Sequence, residues 1–296
     1  MKTHITLLFL CISFCTNAQL ANSGFDSEEF QKFMNSTTKI VLTGEPEIDE
    51  QIMASVNKYW NFTPFEEIGP DAYNEEVESG EYSYLLPLLQ IQQTEYGQHS
   101  WFAYGIVMGG KKSKNYWRND LLIYVPLNRY YTEREFKQAI YRIDFMVSTL
   151  NETAKWIRDE KINEKGKKLD ELCLAHVNEN ANKIANKTML VPKEVYDFDP
   201  VLTKKYYFDQ IAIKKYTFKY KILPIAEIQA LAESAEADQY CLLVPAKYID
   251  FHLTVFDLAT HKPLAMTDIL KAITAFDHGG VDSEDIYELL TLIKKK

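Results

Sequence analysis

Tyr216–Lys247 reads YTFKYKILPIAEIQALAESAEADQYCLLVPAK. Aromatic and polar residues alternate as far as Leu223, Pro224 opens a short helical pattern, and YCLLVPA ends the stretch as an apolar run. Alternation with period two predicts a strand, apolar spacing of three and four predicts a helix, and a short unbroken apolar run predicts a buried strand. The same parts recur in the same order in Phe62–Gln90, FTPFEEIGPDAYNEEVESGEYSYLLPLLQ. At an offset of 154, Thr63, Ile68, Pro70 and Ala72 fall on Thr217, Ile222, Pro224 and Ala226. At an offset of 156, Tyr84 and Leu86 fall on Tyr240 and Leu242. A two-residue insertion reconciles the offsets, and an internal duplication is the expectation these six matches raise.

Working outward, 296 residues can bury a substantial core in one large domain or two medium ones. Hydrophobic residues at 46% and charged residues at 25% exclude wholesale disorder. The 19 tyrosines and 16 phenylalanines favour β-rich elements over a helical bundle.

The first residues read as an export signal. Lys2 is followed by the apolar run Ile5–Phe14, too short to span a bilayer, and Thr16-Asn17-Ala18 supplies small residues before a cut. The expected cut lies between Ala18 and Gln19, giving a periplasmic or secreted protein. Phe14 before Cys15 and Leu10 before Cys11 disfavour a lipid anchor. Loss of the leader removes Lys2 and leaves 32 basic against 42 acidic residues, a net charge of −10. That sign opposes phosphate neutralisation, so nucleic acid is not an expected partner. No later apolar run approaches the length of a membrane span. Cys173 and Cys241 remain, and free buried thiols are the preferred reading over a disulfide between them.

The chain then divides into a flexible lead-in over 19–37, a first β/α module over 38–131, a helical hairpin over 132–187, a second β/α module over 188–272 and a C-terminal helix over 273–296. TKIVLT at Thr38–Thr43 is a buried strand; Pro46 opens a helix marked by Ile48, Ile52 and Val56; Gly80 ends the acidic helix Asp71–Ser79. Three strand patterns make a meander in the first module, and a helix over Thr132–Lys161 starts with the capping-box pair Thr132 and Glu135. A second helix runs through roughly Lys187. The expected class is α+β, mixed α/β: two strand–helix–strand modules with antiparallel meanders, linked by a long helical hairpin.

GGKKS at Gly109–Ser113 lacks the glycine spacing of a phosphate loop and reads as a hairpin tip. His99, His176, His252, His261 and His278 contain no i, i+4 pair, and Cys173 with His176 falls on a predicted core face. His99 and Ser100 are adjacent, a poor arrangement for a Ser–His pair, and no GxSxG elbow occurs. Glu66-Glu67, Glu75-Glu76, Asp197, Asp199, Asp277 and Asp282 are carboxylate candidates that read as solvated side chains. Tyr59-Trp60, Tyr116-Trp117 and Tyr130-Tyr131 sit at element edges, where rings either cap a core or line a groove. Catalytic, cofactor-binding and metal residues are each expected to be none.

The leader ending in NAQ, the opening TKIVLTGEPEIDEQI and KTMLVPKE from Lys187 resemble secreted proteins of Bacteroidota-type bacteria. HLTVFDLATHKPLA, from His252, resembles hairpins of TolB amino-terminal-like envelope domains. The resemblance implies an exported protein with paired β/α modules and transfers no catalytic pattern. WRNDLLIYVPL in the first half departs from it at the paired strand. The functional expectation is an exported non-enzymatic binding or assembly component whose partner is another envelope protein. The alternative is an exported hydrolase using loop carboxylates.

Overall fold

Thr38–Val41 (β1) is buried along its whole length, as a β-branched run flanked by parallel neighbours should be. The computed structural model describes residues 27–94, 97–110, 121–129, 142–164, 166–193, 213–246, 252–267 and 283–294. The leader and its cut lie outside these residues, as do the start of the expected helix at 132–141, Asp197, Asp199, Asp277, Asp282, and the aromatic pairs at 116–117 and 130–131.

Before β1 runs helix α1 (Ser27–Met34), where the sequence reading expected a flexible lead-in. The reason is local: Phe30 and Phe33 lie one turn apart, and both rings are buried against Phe62, with Phe33 also meeting Trp60. After β1 come α2 (Pro46–Tyr59), β2 (Phe65–Ile68), α3 (Pro70–Glu76), β3 (Ser83–Thr94), β4 (Gly97–Met108) and β5 (Leu121–Arg129). Pro46 and Pro70 each occupy a first helical turn, where a missing N–H costs nothing. The Asp49 carboxylate accepts the amides of Thr43 at 2.7 Å and Gly44 at 3.0 Å, fixing the turn into α2. These strands form a sheet in the order β2-β1-β3-β4-β5, parallel at β2-β1-β3 and antiparallel beyond.

Helices α4 (Ile143–Asp159) and α5 (Gly166–Asn178) follow, then a 3-10 turn at Ala181–Asn186. The helix expected to continue to Lys187 thus stops at Asn178, whose side chain is committed elsewhere: its amide donates to the Met266 carbonyl at 3.0 Å and its oxygen accepts the Met266 amide at 2.8 Å. The second sheet comprises β6 (Thr188–Pro192), β7 (Tyr220–Leu223), β8 (Tyr240–Ala246), β9 (His252–Asp257) and β10 (Pro263–Met266). Helix α6 (Ile225–Ala232) joins β7 to β8, and α7 (Ser283–Lys294) is the last described element. The order is β7-β6-β8-β9-β10, with the same parallel and antiparallel steps as the first sheet. The fold is α+β, and its two sheets have one topology.

Strand register shows which residues correspond. Thr38 faces Phe65 and Ser83 across its two neighbours, and Met189 faces Tyr220 and Cys241. In the meanders, Ser83 faces Met108 and Cys241 faces Asp257. These equivalences correct the offsets read from residue identity: Ser83 pairs with Cys241, and Phe65 with Tyr220. The correspondence holds one residue further, where Gly109 donates to the Tyr82 carbonyl at 2.9 Å and Leu258 to the Tyr240 carbonyl at 3.2 Å.

Each sheet buries both faces. On one face of the first sheet, Ile40, Leu85, Tyr104 and Ile106 pack with side chains of α1, α2, α4 and α5. On the other, Val41, Tyr84, Leu86 and Val107 pack under Tyr73 of α3 and Val77. The second sheet sets Met189, Leu243 and Val255 against Ile286, Leu289 and Ile293 of α7. Its opposite face sets Leu190, Leu242 and Phe256 against Ile228 of α6 and Phe145 of α4. Helix α4 is therefore shared: Met146, Val147 and Leu150 enter the first core and Phe145 the second.

Candidate functional site at the junction of the halves

Ser55, Tyr59, Asp144 and His261 meet where α2, α4 and the β9–β10 turn come together. On α2, Ser55 interrupts the apolar stripe between Ile52 and Val56, and all three are buried. Its hydroxyl donates to the Asp144 carboxylate on the first turn of α4. The Tyr59 hydroxyl, one turn after Ser55, approaches the same carboxylate at 3.5 Å and hydrogen-bonds His261 Nδ1. His261 Nδ1 lies 3.9 Å from the Asp144 carboxylate.

The ring of His261 is wedged between aromatics. Phe145 meets it edge-on at 4.5 Å and Tyr59 at 5.1 Å, leaving its side chain 6% exposed against 33% for Asp144. The residue lies at φ 56°, left-handed backbone that few non-glycine residues adopt. The turn is held from beneath: Asp257 accepts the amides of Ala259 at 3.1 Å and Thr260 at 3.0 Å. Lys262 completes the junction by an ion pair with Glu152 of α4 at 2.6 Å.

Electrostatics follow from this packing. Burial holds the His261 imidazole below its ordinary pKa, and Asp144 offsets only part of that shift. Burial, with Asp144 adding, pushes the Tyr59 phenol above its usual range. Burial would raise the Glu152 carboxyl, but Lys262 and Lys155 outweigh it and hold the group below its ordinary range. Chemically the cluster can tie two halves together and hold a proton. Asp144 is the more solvent-facing member of the His261–Asp144 pair.

The other candidates are kept apart. Cys173 and Cys241 are both buried, Cys173 in the first core and Cys241 in the second. Burial pushes the Cys241 thiol up to about 12. His176 stacks on Trp156 at 4.6 Å and lies 3.5 Å from Glu179, a packed and solvent-paired ring. His99 and Ser100 are consecutive on β4, opposite Gln92 and Ile91. Gly109 and Gly110 end β4 as expected for a turn, and the lysines after them lie outside the described residues. Among the described residues, no group of three or more His, Cys, Asp or Glu is placed to hold a metal ion, and no helix is long and apolar enough to cross a membrane.

The carboxylates of the first module serve Lys39. This lysine, on the α3 face of β1, pairs with Glu76 and with Glu66 at 3.5 Å and sits 3.9 Å from the centre of the Tyr82 ring. Glu75 and Glu67 are exposed. The Tyr59-Trp60 pair splits: Tyr59 joins the junction, while Trp60 is buried and donates to Thr63 at 3.1 Å.

The sequence marks Tyr59 as an edge aromatic and His261 as one of the unpaired histidines, but not their meeting. Ser55 carried a signal, a hydroxyl within an apolar stripe. Asp144 carried none, since an acidic residue in a first helical turn is ordinary. Comparison with protein-family models, with curated proteins and with solved structures finds no match to this chain.

Proposed function

We propose that the chain is an exported binding or assembly component that works without catalysis, its partner another envelope protein. One observation carries this reading: the titratable side chains gathered between the halves are used to join two like modules. Tyr59, Asp144, His261, Glu152 and Lys262 are engaged with one another across the junction. A joined pair of like sheets is a scaffold for presenting surface to a partner. The leader pattern and the resemblance to envelope domains point to the same compartment. The test uses amino-terminal sequencing of the mature protein, capture of partners from envelope extracts, and assays on glycan, ester and phosphate panels. The expected results are a terminus at Gln19, a specific envelope partner and no turnover. Robust hydrolysis by the purified protein would replace this reading with that of an exported hydrolase.

A further inference from the structure

We infer that the junction between the halves is an acid-released latch, with His261 as the group that senses pH. The inference goes beyond the function proposed above and requires neither export nor a partner.

The geometry places one imidazole where a new charge meets little water. Phe145 and Tyr59 flank the ring edge-on, and its side chain is 6% exposed. The charged and titratable groups around it come from three elements: Lys58 and Tyr59 of α2, Asp144 and Glu152 of α4, and Asp257 and Lys262 of its own turn. Glu152 is paired with Lys262 and with Lys155, and Asp257 with Lys187 at 3.0 Å. Asp144 also accepts Ser55 and is one-third exposed. An imidazolium therefore gains one partly hydrated counter-charge at 3.9 Å while facing the cation of Lys58 and losing its own hydration. Glu152 and Asp257 are both held below the ordinary carboxylate range, so they stay ionised while a histidine titrates.

The sign follows from linkage. His261 has a lowered pKa when docked, so the released turn binds a proton more readily than the docked one. Docking is fully favoured above the ordinary histidine value of about 6.5. As pH falls below that value, docking weakens by at most about tenfold per pH unit, until the docked ring itself titrates. Release also frees the left-handed backbone at His261.

The test is made on the full-length chain. NMR follows the His261 ring from pH 8 to 4.5, and hydrogen exchange, corrected for intrinsic rates, is read at pH 7.5 and 5.5. The expected result is a His261 midpoint below 6.5, with several-fold loss of protection at pH 5.5 confined to 257–263 and 55–59. His261→Asn keeps a residue tolerant of left-handed backbone and removes the titration; it should make protection at those segments independent of pH over this range. Asp144→Asn should move the His261 midpoint lower still. A wild-type midpoint at or above 6.5, or the same acid loss of protection in His261→Asn, overturns the latch. Neither result bears on whether the protein has an envelope partner.

Discussion

Tyr73 and Ile228 occupy the same place in two copies of one unit. Each is the buried residue of the short helix over its sheet, and each amide bonds the carbonyl four residues back, Gly69 at 3.0 Å and Pro224 at 3.1 Å. With the backbones matched in this way, the side chains that differ become informative. In the first half, Trp60 donates to Thr63 at 3.1 Å, Thr63 lies 2.5 Å from Thr38, Thr38 2.8 Å from Ser83, and Ser83 2.8 Å from Ser36. Ser36 in turn donates to the Phe33 carbonyl at 2.9 Å. All five side chains are buried, and the Ser36 hydroxyl, with its one proton, serves either Ser83 or the Phe33 carbonyl at a time. At the corresponding places the second half has Met189 for Thr38, Cys241 for Ser83 and Phe218 for Thr63.

That hydroxyl chain should behave as a unit. Thr38→Val leaves Thr63 and Ser83 each short of a partner in a dry site, at an expected cost of about 1–3 kcal/mol. Ser83→Ala should cost a similar amount. The double substitution should cost clearly less than the two single costs added, because the bond between the two hydroxyls is removed only once. Urea denaturation of the four proteins measures this; strict additivity would show that the chain is not coupled.

Lys39 makes the opposite case. Its counterpart one residue past Met189 is Leu190, buried among Leu242 and Phe256. Burial would lower the Lys39 ammonium, but Glu76 and Glu66 outweigh it and hold the group above its ordinary value. Both acids are about half exposed, so they regain water once the lysine is gone. Lys39→Leu should therefore leave stability within about 1 kcal/mol of wild type or raise it. A loss above about 3 kcal/mol in the denaturation midpoint analysis would mean that the ion pair holds the first sheet together.

The repeat was legible because strand and helix periods survive substitution, and its exact register was not. Residue identity set Pro70 on Pro224, whereas backbone bonding sets Gly69 on Pro224. Proline opens a helix equally well just before it or within its first turn, so two prolines matched a rule without matching a position. The burial of Cys173 and Cys241 agrees with their apolar contexts in sequence. The junction was beyond reach for a different reason. Tyr59 and His261 lie 202 residues apart, and Ser55 and Asp144 lie 89 apart. Local patterning carries no information on how two modules dock. Helix α1 was missed although Phe30 and Phe33 were in view, because eight polar-rich residues yield too little periodicity to outweigh composition.

Gly109 is fixed by close approach. A Cβ there would lie 2.9 Å from the Tyr82 carbonyl oxygen and 3.1 Å from the Val77 carbonyl oxygen, both backbone atoms with little freedom to yield. Leu258 takes the corresponding place in the second half and is fully buried, so the crowding belongs to the way the Val77–Ser79 turn closes over β4. Gly109→Ala should cost about 1–3 kcal/mol through overpacking, with exchange at Gly110, whose amide bonds the Val77 carbonyl at 2.7 Å, accelerated first. A thermal midpoint unchanged from wild type would show that the turn relaxes freely.

Asp257 and Lys187 show the second half placing an ion pair where the first half has a thioether and a hydroxyl. They stand where the first half has Met108 and Ser36, and they pair at 3.0 Å with side chains 12% and 14% exposed. Burial pushes the Asp257 carboxyl up, but Lys187 and the Thr260 amide outweigh it and hold the group below its ordinary range. A depressed carboxyl contributes stability that is complete above its unfolded value of about 4 and is lost as pH falls through the folded value. Asp257→Asn keeps an acceptor for the Ala259 and Thr260 amides but leaves Lys187 without its counter-charge. At pH 7 it should cost about 1.5–3 kcal/mol, the range for a hydrogen bond to a charged group. The gap between variant and wild type should close as pH is lowered from about 5 towards 3, because the wild-type carboxylate is then itself protonated. Denaturation midpoints at pH 7, 5 and 3.5 decide it. A gap that starts to close near pH 6 would instead trace the loss to His261, four residues along the same turn, and make the pair a bystander.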